Sequence, residues 1–274
     1  MTANGRMPTL YIPHGGGPSF FMQKGDELGG PGAWDAQADY LRGLAASLGV
    51  KPKAVLVVSA HWEERRPTVN VQANPGMLFD YYGFPDYTYR LKYPAPGEPA
   101  LAARVRALLT AAGIDSGEEA ARGFDHGVFI PFLLIYPEAN MPIVELSLVA
   151  NLDAATHLAI GRALAPLRDD GVLIVGSGMS YHNLRAMMSG DPNANAASTR
   201  FDSWLTETIE DSDTKSRDAK LADWRHAPDG IASHPRAEHL LPLHVAAGAA
   251  GADRGKRTYA DHVLGKAQSG FRFG

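Results

Sequence analysis

Histidines that directly follow apolar stretches are the residues of this sequence best suited to catalysis. The apolar residues 55–58 lead through Ser59-Ala60 to His61, and residues 7–12 lead through Pro13 to His14. A third apolar run, residues 171–178, leads to His182. Neutral imidazole is a common ligand of divalent metals, and a histidine that titrates near neutral pH can also transfer protons. The pattern therefore indicates a metal or acid–base site built from distant segments.

The remaining histidines carry less information when each is taken alone. A fourth site, His126, stands beside Asp125 between two glycines, and no local ligand motif such as His-Glu-x-x-His is present. A single histidine near a strand end is more often a hydrogen-bonded structural residue than a ligand. We expect that structural role for a group of five: His157, His226, His234, His244 and His262.

The segments that carry these histidines predict an α/β fold. Short apolar runs rich in β-branched residues alternate with amphipathic stretches, which is typical of a mostly parallel sheet with helices on both faces. We expect strands at residues 7–12, 55–62, 142–148 and 171–178, and helices at residues 33–48, 99–113, 128–136 and 154–167. Because parallel strands end at the same rim, the histidines would meet at the strand C-terminal rim of one domain spanning residues 1–274.

Four further segments carry local expectations. Residues 191–199 are predicted to be a polar connector before a helix at 199–209, residues 211–220 a charged solvated stretch, and residues 269–274 a closing edge strand. Residues 67–98 are rich in proline, glycine and aromatic side chains, which is compatible with a surface excursion held by ring packing. The same composition is compatible with a wall or lid over a flat aromatic ligand.

Composition excludes several classes of function. Because its formal net charge is −4, the protein lacks the overall positive charge that would attract nucleic acid or anionic lipid. The absence of cysteine excludes disulfides, thiolate ligands and cysteine nucleophiles. We find neither a signal-like N-terminus nor an apolar run of the roughly 20 residues that a membrane span needs. The expectation is a cytoplasmic enzyme without nucleic-acid or membrane partners, and the sequence leaves open whether it forms a homo-oligomer.

Five motifs, taken together and in this order, resemble the signature blocks of class III extradiol ring-cleavage dioxygenases. The similarity spans residues 13 to about 250, and within the family the motifs resemble those of the DOPA 4,5-dioxygenase-like branch. The blocks are Pro13-His14-Gly15-Gly16-Gly17-Pro18, Ser59-Ala60-His61-Trp62, Gly123-Phe124-Asp125-His126-Gly127, Tyr181-His182-Asn183-Leu184 and Glu238-His239-Leu240-Leu241-Pro242-Leu243.

The resemblance implies a non-haem Fe(II) centre, although zinc also occurs in that position in the family. His14, His61 and His239 correspond to the metal ligands. The protocatechuate branch uses a carboxylate as the third ligand, and here Glu238 and His239 stand side by side. Because adjacent side chains diverge, we expect only His239 to bind the metal, as in the DOPA-like branch, and Glu238 to lie behind it.

The catalytic roles follow from the same resemblance. His182 matches the acid–base histidine, and His126 matches a second active-site histidine, which we expect Asp125 to orient. The implied substrates are a catechol and O2, and the reaction is extradiol cleavage of the ring. The sequence does not identify which catechol is the substrate. Candidates for holding a substrate carboxylate are Arg65, Arg66, Arg90 and Arg185.

Two other functions use the same residues. A zinc-dependent hydrolase could use the three histidines as ligands, with Glu238 as its general base. The same residues could also form the pocket of a protein that binds a metal or small molecule without catalysing a reaction. A phosphate-cradling loop at Gly15-Gly16-Gly17 is a weak alternative, because the Gly-Lys-Ser/Thr of a P-loop is absent.

Overall fold

The polypeptide is organised around one eight-stranded sheet with the strand order β4-β3-β5-β2-β6-β1-β8-β7. The computed structural model describes residues 6–274, so the first five residues of the predicted domain lie outside the described part. The strands are β1 (Thr9–Pro13), β2 (Ala54–Glu64), β3 (Thr68–Asn70), β4 (Gly117–Glu119), β5 (Ile143–Val149), β6 (Val172–Gly178), β7 (Gly255–Val263) and β8 (Lys266–Phe273).

Helices cover both faces of this sheet. They are α1 (Asp35–Ser47), α2 (Pro99–Ala111), α3 (His126–Ile135), α4 (Ala154–Leu164), α5 (Leu184–Met187), α6 (Pro192–Ile209), α7 (Thr214–Ala222), α8 (Gly230–Ser233) and α9 (Leu241–Ala250). Successive residues of β2 alternate between the two sides. Val55 and Val57 belong to the apolar core under α1 and α3, whereas Leu56 and Val58 belong to the core under α2, α4 and α9. Burial on both faces explains why the strand is uninterruptedly apolar.

The predicted fold class is confirmed. The central strands β5, β2, β6 and β1 pair in parallel, and β3 pairs with β4 in parallel. Antiparallel pairing is confined to β3 with β5 and to the β1-β8-β7 side. The result is a single α/β domain with a mostly parallel mixed sheet.

Two local predictions are wrong. Most of the expected connector at residues 191–199 belongs to α6, which the side chain of Asp191 caps by accepting a hydrogen bond from the backbone N–H of Asn193. The stretch 211–220 is charged and largely accessible to solvent, as expected, and it contains the start of α7, capped in the same way by Asp213. The C-terminal segment is not an edge strand, because β8 pairs with β1 on one side and β7 on the other.

The rim that carries the site is formed by three neighbouring strands. β2, β6 and β1 are adjacent and parallel, so their carboxyl ends lie together. The segment before α9 crosses this rim closely. A Cβ on Gly178 would lie 2.1 Å from the carbonyl oxygen of His239. Glycine at this position therefore lets residue 239 approach the strand ends.

Candidate metal centre

Three imidazoles from three distant segments converge at this rim. His14 follows β1, His61 lies on β2 and His239 precedes α9. The Nε2 atom of His61 lies 3.3 Å from the Nε2 atom of His14 and 3.3 Å from the Nε2 atom of His239. The structure therefore brings together the three residues that the sequence predicted as metal ligands.

The outer nitrogen of each of these rings faces an oxygen atom. Nδ1 of His14 lies 2.9 Å from the carbonyl oxygen of Gly15, and Nδ1 of His239 lies 3.0 Å from Oε1 of Glu238. Nδ1 of His61 lies 3.6 Å from Oδ2 of Asp80. The acceptors of His14 and His239 lie within hydrogen-bond distance, so they fix the proton on Nδ1 and leave the Nε2 lone pair for a ligand.

The electrostatics of the three rings fit a bound cation. Burial lowers the pKa of His14, His61 and His239 well below its usual range, and neighbouring imidazoles lower it further. Neutral rings with Nδ1 protonated would turn three lone pairs toward one point, an arrangement that a shared cation stabilises. The donor set therefore fits one divalent metal held by three nitrogen ligands, with the remaining coordination positions open toward the cavity.

His182 lies beside this cluster and shares an acceptor with one of its members. Its ring is stacked on that of His239, with centroids 3.3 Å apart and planes 19° from parallel. Its Nδ1 lies 3.2 Å from the same Glu238 Oε1 that receives His239. Partial burial opposes ionisation of Glu238, but the contacts with His182 and Arg236 outweigh it and lower the pKa of this carboxyl. Glu238 therefore holds two imidazoles in place as an anion.

His126 lies next to His61, where Asp80 contacts it. The His126 ring centroid is 3.8 Å from that of His61. Oδ1 of Asp80 accepts a hydrogen bond from the backbone N–H of His126 at 2.9 Å and lies 2.8 Å from its Nδ1. Asp80 thus faces two imidazoles, one through each carboxylate oxygen.

The expected pairing of Asp125 with His126 is not observed. The buried Asp125 carboxylate instead accepts hydrogen bonds from Ser59 Oγ at 2.7 Å and from Arg122 at 3.0 Å. Asp125 precedes α3 and His126 begins it, so the two side chains leave the chain in different directions. The prediction failed because adjacency in sequence is not adjacency of side chains, and Asp80 supplies the oxygen that Asp125 was expected to provide.

Behind the metal centre, Glu145 forms a buried acidic pair with Asp125. Both carboxyl groups are fully buried, and the guanidinium of Arg122 lies 3.9 Å from Glu145 and bonds Asp125 directly. Burial raises the pKa of Glu145 well above its usual range, and the negative charge of Asp125 raises it further. Folding therefore favours protonation of Glu145 relative to the unfolded chain.

Glu145→Gln is expected to leave the protein at least as stable as the parent at pH 8. A carboxyl group whose pKa is raised by folding contributes stability below its unfolded pKa and loses that contribution as pH rises through the folded pKa. The glutamine amide of the variant does not titrate, so it causes no loss of stability as the pH rises. Thermal unfolding of both proteins at pH 5 and pH 8 should therefore show a difference in Tm that moves in favour of the variant with rising pH. The exposed Glu207→Gln should show no such trend, and a variant that loses Tm at pH 8 would contradict protonation of Glu145.

A cavity of about 230 Å³ opens directly above the imidazoles. His14, His61, His126, His182 and His239 line its floor, and Gly15, Gly16 and Gly17 lie along one side. Tyr81 and Phe84 from the aromatic segment 67–98 form part of the wall, with Phe79 and Tyr89 packed against Tyr81. This segment therefore supplies both the wall and, through Asp80, the support of two histidines.

Other candidate residues lie elsewhere. Imidazole nitrogens of His157, His234 and His244 face backbone groups, in agreement with the expected structural role, whereas His226 and His262 are exposed on the surface. None of the four arginines considered for a substrate carboxylate, at positions 65, 66, 90 and 185, lines the cavity, and Arg66 instead pairs with Asp115.

The fold and the cluster of three histidines fit a metal-dependent α/β enzyme. A family model described as the catalytic LigB subunit of aromatic ring-opening dioxygenase matches residues 9–271. The chain belongs to this family of extradiol dioxygenases, which confirms the resemblance predicted from the sequence motifs. Within the described residues 6–274, no helix has the length and apolarity required to cross a membrane.

Relatives with assigned names agree with this assignment. The chain is 42% identical to a 4,5-DOPA dioxygenase extradiol of Beta vulgaris, over 73% of this chain and 74% of that protein. It is 39% identical to the dioxygenase tasH of Hapsidospora irregularis, over 96% of this chain and 84% of the relative. Among solved structures, an uncharacterized protein of Escherichia coli K12 matches with a TM-score of 0.77 and 30% identity, over 98% of this chain and 100% of the other.

Proposed function

We propose that the protein is an Fe(II)-dependent extradiol dioxygenase that opens the ring of a catechol with O2. The observation that carries the proposal is the convergence of the Nε2 atoms of His14, His61 and His239 at the floor of a cavity, beside two further histidines. Three ligands on one side of a metal leave room for both oxygens of a catechol and for O2. Fe(II) bound there would lower the pKa of the catechol hydroxyls and hold both reactants for oxygen insertion next to the diol.

His182 is proposed as the acid–base residue. Because Glu238 Oε1 lies 3.2 Å from Nδ1 of His182, the proton of the neutral ring stays on Nδ1 and Nε2 serves as the base. Nε2 would accept a proton from a catechol hydroxyl and return it when the ring opens. The anionic partner stabilises the imidazolium formed in between.

His126 is proposed to form a hydrogen bond with the substrate in the cavity. Asp80 contacts its Nδ1 and its backbone N–H, which fixes the orientation of the ring. The Nε2 side would then face bound oxygen or a hydroxyl of the ring. Its position against His61 places that hydrogen bond next to the metal centre.

Glu238 is not positioned to act as the general base that the zinc-hydrolase alternative requires. Oε1 of Glu238 faces the Nδ1 atoms of His182 and His239, and Oε2 lies 3.3 Å from the guanidinium of Arg236. Glu238 is also absent from the cavity lining. A carboxylate engaged in this way holds ligands in place and does not activate water, so we retain the dioxygenase as the proposed function.

Oxygen uptake by the reconstituted protein tests the proposal. Metal-free protein is loaded anaerobically with Fe(II) or with Zn(II) and mixed with a panel of catechols and O2. We expect equimolar consumption of O2 and catechol and a yellow ring-opened product with Fe(II) alone. Hydrolysis of model esters by the zinc form, or binding of catechols without turnover by the iron form, would favour the hydrolase or the binding protein instead.

A further inference from the structure

The walls of the cavity are apolar beyond the imidazole floor. Leu28, Trp34, Met179, Met187 and Leu264 line it from four separate segments of the chain, together with Phe84. Trp34 is itself held in place, because its indole N–H donates a hydrogen bond to the carbonyl oxygen of Leu28 at 2.8 Å. The surface available to the part of a ligand that projects away from the metal is therefore almost entirely hydrocarbon, thioether and aromatic ring.

No charged group is available to a ligand inside this cavity. Among residues 6–274, no lysine, arginine, aspartate or glutamate side chain lines it. The two arginines close to the histidine cluster are already paired. Arg122 donates hydrogen bonds to the His61 carbonyl oxygen and to Asp125, and Arg236 contacts both carboxylate oxygens of Glu63.

The rim of the cavity continues the apolar surface outward. Leu184 and Met188 line the cavity and are 61% and 66% exposed, whereas Met187 between them is buried. Single exposed apolar side chains need no explanation, but two that border one apolar cavity extend it into a larger hydrophobic surface. A ligand that protrudes from the cavity would contact these two side chains.

We propose that the substrate is a catechol whose ring substituent is uncharged and apolar, directed toward Leu184 and Met188. The inference rests on the proposed function, since the diol is what would reach the metal. A substituent carrying a carboxylate or an ammonium group would lose its hydration in this cavity and gain no counter-charge. An alkyl substituent of the same size would instead gain contact with the methionines and Trp34.

Three catechols with side chains of similar length test this preference. Propylcatechol carries a neutral chain, dopamine an ammonium and dihydrocaffeate a carboxylate. With the Fe(II)-loaded enzyme and O2, we expect kcat/KM for propylcatechol to exceed that for either charged catechol by at least roughly 100-fold, because an unpaired buried charge is strongly disfavoured. Anaerobic calorimetry on metal-free and Fe(II)-loaded protein should give the same order of Kd values.

Leu184→Arg tests the location of the substituent. This exposed position accepts arginine without disturbing the core, and the added guanidinium supplies the cation that the cavity lacks. We expect kcat/KM for dihydrocaffeate to rise by about 10-fold and that for propylcatechol to fall. Val50→Arg is the matched control, since Val50 is 48% exposed and precedes β2 at the end of the sheet opposite His61. It should change neither value.

The results separate this inference from the proposed function. If none of the catechols consumes O2, ring cleavage is disproved, and the Kd values still decide whether the cavity prefers the neutral chain. A wild-type preference for dihydrocaffeate or dopamine would overturn the inference while leaving the dioxygenase assignment intact. An unchanged preference in Leu184→Arg would overturn the proposed direction of the substituent.

Discussion

Replacing His61 by alanine is expected to remove the metal from the protein and to abolish O2 consumption. The Nε2 atom of His61 lies 3.3 Å from each of the other two Nε2 atoms, so its loss leaves two ligands that no longer surround one point. Residues that only orient metal ligands contribute roughly 10- to 100-fold to metal affinity, so loss of a ligand itself should cost at least about 100-fold. Metal content after reconstitution and dialysis, together with O2 uptake, gives the measurement.

The fold should survive this substitution. The three ligand imidazoles are crowded and desolvated, and burial already lowers their pKa values, so the metal-free protein gains no stability from keeping all three together. Thermal unfolding of metal-free His61→Ala should match that of the metal-free parent. His226→Ala is the control, because His226 is exposed and outside the cluster, and it should retain both metal and activity. Full metal content in His61→Ala would show that the metal binds elsewhere.

The sequence predicted the strand-borne histidines for a physical reason that the structure explains. His14 follows β1 and His61 lies on β2, and both are parallel strands buried on both faces. Such strands can be recognised in a sequence as uninterrupted apolar runs. Parallel pairing of β1, β6 and β2 then brings the ends of these runs to one rim. By contrast, His239 precedes a helix rather than following a strand, so its place in the site came from the family resemblance.

The support of the site could not be predicted from local pattern. Asp80 lies 46 residues before His126, inside a proline- and glycine-rich segment with no periodicity, and only the path of that segment brings the two together. Glu238, in contrast, was expected behind His239, and its Oε1 does lie 3.0 Å from Nδ1 of that residue. Adjacency within a motif does not decide such pairings, because Glu238 reaches the imidazole of His239 whereas Asp125 bonds Ser59 and Arg122 and not His126. A pairing across a loop depends on tertiary structure as well.

The secondary-structure errors have a similar origin. The polar sequence of residues 191–199 suggested a connector and that of residues 211–220 a charged solvated stretch, yet Asp191 and Asp213 each cap a helix that begins at the next residue. The capping residues were visible in the sequence, but the apolar periodicity beside them was weak. β7 was missed because five of its nine residues are exposed, which hides the alternation of an edge strand.

His182→Ala is expected to keep the metal and to lose most of the turnover. His182 is not one of the three converging ligands, and its Nδ1 faces Glu238 rather than the cluster. Removing a general acid–base residue typically lowers the rate by about 10²- to 10⁴-fold. We expect a decrease in kcat of that size with nearly full Fe(II) content, measured by O2 uptake and metal analysis on the same preparation. Added imidazole should restore part of the activity of His182→Ala and none of that of metal-free His61→Ala.

Retention of the metal in His182→Ala depends on Glu238. The His182 ring is stacked on His239 at 3.3 Å, so its removal exposes one face of a ligand. His239 remains fixed, however, because Nδ1 keeps its contact with Oε1 of Glu238 and the backbone carbonyl of His239 still accepts a hydrogen bond from Tyr11 Oη at 2.7 Å. Loss of metal from His182→Ala equal to that from His61→Ala would mean that the stacked ring, and not the carboxylate, holds His239. The assignment of His182 as an acid–base residue would then fail.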